Sequence, residues 1–296
     1  MATILQPQLP PKPHSIHEYS GLAHPPHLSR LKSAAHKAAQ VEPLSIDVDD
    51  SLNGFVPGFL HLPPDFTTSP SAPLLPHHHR TAAILLSGAG GGVTGPSSIY
   101  LSLACKLATL GRGIPTLRLD YRFPSRTAPC VADARAGMGY LRDMYGLDRF
   151  VLVGWSFGGA VVFTAAGEDE RVIGCATVAS QTVGTEGIRK VAPRPVLLMH
   201  GTADHTLSDE CSKRLYEMYG GDGNGRLELF DGDNHALSRN AEKAEEMLCE
   251  FVAGCAGVRI AEGEREKVVD VELIDDRERH ELMERGGDLR EPERED

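Results

Sequence analysis

The chain of 296 residues lacks the excess of positive charge that a phosphate backbone demands: its formal net charge is −11 at pH 7. That balance excludes a general nucleic-acid binder with a basic face. No apolar run approaches the roughly 18–20 residues that a membrane helix requires, so no membrane span is expected. The opening MATILQPQLPPKPH has neither a continuous apolar h-region nor an arginine-rich amphipathic pattern, and a soluble, cytoplasmic protein is the expectation. The six cysteines (Cys105, Cys130, Cys175, Cys211, Cys249 and Cys255) include no CxxC pair and no zinc-type spacing. Most lie in apolar segments, where a free thiol behaves as a small buried hydrophobe, which fits a reducing compartment. No internal repeat is visible.

What is present is ordinary globular composition, 41% hydrophobic and 24% charged, with 31 glycines. The organisation falls into three parts. Residues 1–43 are rich in proline and histidine and read as irregular, with room for a short helix over 28–40. Residues 44–258 carry the periodic apolar pattern. Residues 259–296 hold 15 acidic and 8 basic residues and supply −7 of the net charge, which predicts a solvated, disordered tail that a protein partner could engage.

Within the middle part, 44–48 and 54–62 read as two strands joined by a short turn, an antiparallel edge. Further strands are expected at 81–86, 114–120, 149–153, 172–179, 195–199 and 226–230. Helices are expected at 97–110, 130–145, 208–219 and 236–253, and one follows Ser156 to about residue 167. Strands separated by helices of this length imply right-handed βαβ crossovers. The fold class is therefore α/β, a mainly parallel eight-stranded sheet with helices on both faces.

The densest chemical signal is Gly154-Trp155-Ser156-Phe157-Gly158, a G-x-S-x-G sequence. Glycine and serine are common, so the pattern gains its meaning from context: the apolar strand 150–153 precedes it and a helical run, 159–165, follows. A serine at a sharp strand-to-helix turn adopts a strained backbone with its hydroxyl clear of the sheet. Its neighbours two positions away come close enough to favour glycine. Such a hydroxyl is a poor nucleophile until a base takes its proton, and the base needs an orienting acid. Asp204, in HGTAD after the strand 195–199, and His235, in GDNH after the strand 226–230, both lie just beyond strand C-termini, at the rim that the elbow serine faces.

In this order, Ser…Asp…His, the motifs resemble those of the α/β-hydrolase superfamily over residues 44–253. The resemblance implies Ser156 as nucleophile, His235 as general base and Asp204 as orienting acid. It also implies an oxyanion hole from the Phe157 amide and the loop Ser87-Gly88-Ala89-Gly90-Gly91-Gly92, with Ala89 as second donor and Gly90 in reserve. Ser87 stands where relatives often carry histidine. Asp209, Asp233, His200 and His205 are rival carboxylates and imidazoles, read as loop or supporting residues. Only residues 180–194 separate the sixth and seventh strands, so no large cap domain is expected, and the site should be open.

These features imply hydrolysis of a small-molecule ester, thioester or related acyl compound, without cofactor or metal. A histidine base further implies activity that rises with pH through the ordinary imidazole range. The same triad would also serve an acyltransferase or peptidase, and a hydrolase fold can carry a non-catalytic binding or scaffold protein. A dinucleotide reading of the loop fails on two counts: position 93 is valine, and Asp120 follows Gly90 by 30 residues rather than about 20. His77-His78-His79 and the N-terminal histidines (His14, His17, His24, His27 and His36) have no motif that makes them a metal site. Asp120-Tyr121-Arg122 could serve the pocket or form a structural ion pair. Trp155 reads as core.

Overall fold

The computed structural model describes residues 19, 21–32, 37–66, 80–220 and 223–290. Eight strands form one sheet: β1 (Gln40–Asp47), β2 (Phe55–Leu62), β3 (Thr81–Leu86), β4 (Thr116–Leu119), β5 (Arg149–Trp155), β6 (Val172–Val178), β7 (Val196–Gly201) and β8 (Gly225–Phe230). Their spatial order is β1-β2-β4-β3-β5-β6-β7-β8. β2 pairs antiparallel with β1 and with β4. The remaining neighbours are parallel, as crossover helices require.

The helices are α1 (Ile99–Thr109), α2 (Thr127–Tyr145), α3 (Gly158–Glu168), α4 (Glu210–Tyr219) and α5 (Ala241–Cys255). Period-2 alternation in the central strands divides the core between the two faces. Ala83 and Leu85 of β3, with Val151 and Val153 of β5, join the cluster under α1 and α5. Ala82, Ile84 and Leu86, with Phe150 and Leu152, join the cluster under α2, α3 and α4. The connection from β6 to β7 holds a single 3-10 turn, Glu186–Lys190, and no cap domain.

Both ends of the described chain differ from the sequence expectation. In place of a helix over 28–40 there is a 3-10 turn at Pro26–Arg30, and β1 already begins at Gln40; residues 33–36 lie outside the described set. Tyr19, Leu22, Leu28 and Leu31 are buried in the core under α1.

The charged segment after residue 258 is not a solvated tail as far as residue 290. It forms a short turn, α6 (Glu262–Glu264), which continues as a π-helical turn (Arg265–Val269), and then α7 (Asp276–Gly286). Val268, Val269, Leu273, Ile274, Leu282 and Met283 bury themselves in that same core. Widely spaced apolar residues suffice, because one face of α7 meets the core; Arg279 goes in with it and donates to Ser97 O at 3.0 Å, while the other charges stay outside. Asp275 caps α7 by accepting from the Arg277 and Glu278 amides, and Gly287 closes it at φ 81°.

Candidate active site

Ser156 sits between the last residue of β5 and the start of α3 with φ 53°, a left-handed backbone that an L-residue adopts at a cost. The turn is held by the Ser156 amide donating to Val178 O at 2.8 Å and the Gly159 amide donating to Ser156 O at 3.2 Å. Two glycines make it possible. A Cβ on Gly154 would lie 2.6 Å from the carbonyl of Gly158, and a Cβ on Gly158 would lie 2.7 Å from the carbonyl oxygens of Leu86 and Ser87. The second contact packs the elbow directly against the start of the glycine-rich loop that leaves β3. The Phe157 amide, the first after the serine, takes no acceptor among the described residues.

Asp204 and His235 come from the loops after β7 and β8, and both side chains are wholly buried. His235 Nδ1 lies 2.6 Å from Asp204 Oδ2. A carboxylate can only accept, so Nδ1 carries the hydrogen and the Nε2 lone pair becomes the basic one. Asp204 Oδ1 accepts from the amides of Thr206 and Leu207, each at 2.8 Å. His200 adds a donor: its Nε2 lies 3.0 Å from Asp204 Oδ2 and 3.0 Å from Leu207 O, while its Nδ1 lies 2.7 Å from Ser212 Oγ. Burial opposes the Asp204 charge, but hydrogen bonds from His200, His235 and the Leu207 amide outweigh it and hold the carboxyl well below the usual carboxylate range.

Trp155 is core, with its Nε1 donating to His235 O at 3.1 Å and its ring against the imidazole. The tryptophan thus ties the histidine loop to the elbow strand, a role that sequence alone did not reveal. Asp233 turns away from the histidine and accepts from the amides of Asn234, Arg239 and Asn240 at 2.9, 3.1 and 3.0 Å. Asp209 stands at the start of α4, 3.0 Å from Lys213, and His205 is exposed. Neither meets the Asp204–His235 pair.

In the glycine-rich loop, the Ala89 carbonyl accepts from Ser125 Oγ at 2.8 Å, and Gly90 packs against the backbone of Arg290. Asp120 is fully buried and accepts from the Gly92 amide at 2.9 Å and from the Tyr19 hydroxyl at 2.8 Å; it shapes the loop rather than facing a ribose. Arg122 pairs instead with Asp50 and Asp133 at 2.6 and 2.5 Å, a structural cluster. The short β6–β7 connection predicts an open site, yet Ser156 is 4% exposed and His235 is fully buried. At the neighbouring glycine-rich loop, the C-terminal segment comes to rest on Gly90.

One cluster has metal-ligand chemistry. The ligand atoms of His24, His61 and Cys105 all lie within 4.8 Å of one another. Arg118 Nε, however, donates to His61 Nε2 at 3.0 Å, which puts the ring hydrogen on Nδ1, the atom that faces Cys105. Burial also pushes the Cys105 thiol up to about 12. A protonated thiol, an N–H and a guanidinium do not make a cation site. His14, His17, His36 and His77-His78-His79 lie outside the described residues. No helix among the described residues is long and apolar enough to cross a membrane.

Comparison with known proteins agrees with the architecture. The family model for the alpha/beta hydrolase fold matches residues 55–209. Est1E from Butyrivibrio proteoclasticus superposes with a TM-score of 0.55 at 18% identity, covering 75% of this chain and 100% of that one. XC6422 from Xanthomonas campestris, described as an α/β serine hydrolase without a lid, gives 0.53 at 17% identity over 72% of this chain and 94% of its own. A dienelactone hydrolase from Anabaena variabilis gives 0.58 at 17% identity over 73% and 98%. At these identities the likeness shows the fold alone. A search of curated proteins finds no match.

Proposed function

The chain belongs to the α/β-hydrolase fold family, and from that premise we propose that it is a serine hydrolase that cleaves an ester, a thioester or a related acyl bond of a small molecule. The observation that carries this reading is the buried 2.6 Å contact between His235 Nδ1 and Asp204 Oδ2, together with the left-handed Ser156 at the elbow. Each is costly to build, and together they are what acyl transfer by a serine would use. Left-handed serines occur in other turns of this chain, so what counts is the place of this one at the elbow beside the pair, and a structural histidine needs no carboxylate with four donors.

In the proposed reaction Ser156 Oγ attacks the acyl carbon while His235 Nε2 takes the hydroxyl proton. Asp204 keeps the imidazole in the productive tautomer and stabilises its cationic form. The negative charge on the tetrahedral oxygen falls to the amides of Phe157 and Ala89, with Gly90 in reserve, and to the N-terminal end of α3. Collapse breaks the bond to the leaving alcohol or thiol, which departs with the proton from His235. Water then attacks the acyl-enzyme with the same base, and the carboxylic acid leaves as Ser156 regains its hydrogen. No cofactor enters these steps.

The test is covalent labelling by a fluorophosphonate, mapped by mass spectrometry on the full chain beside S156A and H235A. An adduct on Ser156 that disappears in both variants is expected, followed by turnover of short acyl esters or thioesters. A folded wild-type protein that takes no adduct would refute the proposal.

A further inference from the structure

The loop over residues 87–95 cannot set its own shape. It holds one internal turn hydrogen bond, from the Gly91 amide to Gly88 O at 3.0 Å, and it takes positive φ at Gly91, Gly92 and Gly95. Fixing such backbone costs about 1–2 kcal/mol per residue in entropy. Groups outside the loop must therefore hold it: Asp120 takes the Gly92 amide, and the largest set of the loop's donors converges on one further carboxylate.

Asp288, just past α7, is fully buried, and its carboxylate accepts from five donors of the loop. The Val93, Thr94 and Gly95 amides lie at 3.1, 2.9 and 2.8 Å, and the Thr94 hydroxyl at 2.7 Å. The Ser87 hydroxyl donates to Oδ1, which also accepts from the Gly95 amide, while the Val93 and Thr94 donors share Oδ2. Three consecutive amides turned onto one carboxylate form an anion nest. The backbone at Gly92 lies so close that a Cβ there would overlap the Asp288 carboxyl. Two positions further on, Arg290 donates to Gly90 O at 3.3 Å, so the segment grips the loop on both sides of Ala89.

We propose that Asp288 is a positioning residue for acyl transfer: its carboxylate, presented by the C-terminal strap of α7 and residues 287–290, sets the course of the loop that supplies the second oxyanion donor. Ser87 acquires a function from this arrangement, because its hydroxyl anchors the first residue of the loop to the strap. The inference rests on the serine-hydrolase reading for its catalytic half. Its structural half, that the Asp288 carboxylate ties the loop to the C-terminal segment, stands on the hydrogen bonds alone.

The test uses the full chain, with D288N and the milder S87A, which removes a single hydroxyl. Steady-state turnover of p-nitrophenyl acetate is measured with the affinity of an alkyl boronic acid, whose tetrahedral adduct places an oxygen in the oxyanion hole. D288N is expected to lower kcat about 10- to 100-fold, a part of what deletion of a donor costs. KM should stay within about twofold and boronate affinity should fall in step with kcat, the mark of an interaction made in the transition state. S87A should show the same pattern, reduced to several-fold. A rise in KM at unchanged kcat, or full kcat in a variant whose only change is a lower melting temperature, would overturn the proposal.

Amide hydrogen exchange over residues 88–95 needs no turnover and separates the two readings. Unchanged exchange in D288N overturns the positioning role even in an active enzyme. Wild-type protein with no adduct at Ser156 and no turnover overturns the hydrolase reading and this catalytic role with it.

Discussion

Replacing Ser156 by glycine should remove the proposed nucleophile and yet leave a protein more stable than the alanine variant. The elbow backbone has φ 53°, where an L-residue carries about 1–2 kcal/mol of strain. Alanine keeps the Cβ and therefore the strain, while glycine removes both. Against this, glycine gains freedom in the unfolded chain, which costs about 0.4–1 kcal/mol relative to alanine. The side chain is 4% exposed and both variants lose its hydroxyl, so that loss cancels in the comparison. The net expectation is that S156G exceeds S156A by roughly 0.5–1 kcal/mol, or about 1–4 °C in melting temperature for a chain of this size. Urea unfolding of the two variants, with the midpoint read at unchanged slope, measures the difference. An alanine variant as stable as the glycine variant, or more so, would refute the claim that the elbow stores strain.

Other perturbations have equally definite outcomes. In D204N the side-chain oxygen should stay with the Thr206 and Leu207 amides, so the new NH2 faces His235 Nδ1 and forces the wrong tautomer. The expected loss in kcat is about 10³–10⁴-fold, and activity within tenfold of wild type would show that Asp204 is not the orienting acid. G158A places a Cβ 2.7 Å from two backbone carbonyl oxygens, Leu86 O and Ser87 O, and should cost about 1–3 kcal/mol in chemical denaturation. A variant of wild-type stability would mean that the elbow and loop are not tightly packed.

Burial pushes the Asp288 carboxyl up to about 6, against the hydrogen bonds of Ser87 and Thr94 and with Arg118, Arg290 and Tyr100 as its charged or titratable neighbours. The folded state then holds a proton between about pH 4 and 6 that the unfolded state has released, so this residue's contribution to stability falls as pH rises through that window. The stability of wild type relative to D288N should accordingly be greater at pH 4.5 than at pH 7, by on the order of 2 kcal/mol. A difference that is constant, or larger at pH 7, would place the carboxyl below pH 4.5 in the fold.

Much of this molecule is legible in its sequence. The eight strands fall within a few residues of their expected places, because a buried parallel strand such as Phe150-Val151-Leu152-Val153 has no other reading between two glycine-bounded turns. Asp204 and His235 are legible as residues just past strand ends, where an α/β sheet collects its polar groups on one rim. What composition hides is the fold of the segment that supplies −7 of the net −11 charge. Averaged over residues 259–296 the segment looks disordered, but Asp275, Leu282-Met283 and Gly286-Gly287 mark a cap, an apolar face and a stop. That local signal was available and the average obscured it. The bond between Ser87 and Asp288 could not be read at all, since the partners are 201 positions apart and each is an unremarkable polar residue.

That separation has a consequence for how the protein is made. On the ribosome the sheet, the elbow serine and its histidine all emerge before α7 does, and the core under α1 waits for Leu282 and Met283 to complete it. Until residue 288 has cleared the exit tunnel, the nest at residues 93–95 lacks its anion. The loop at residues 93–95 therefore gains its anion only after the sheet, Ser156 and His235 have been made, and its shape depends on a segment that follows them in the chain. Insertions or fusions near residue 290 would be felt at the opposite end of the sequence, at the loop where acyl transfer is proposed to occur.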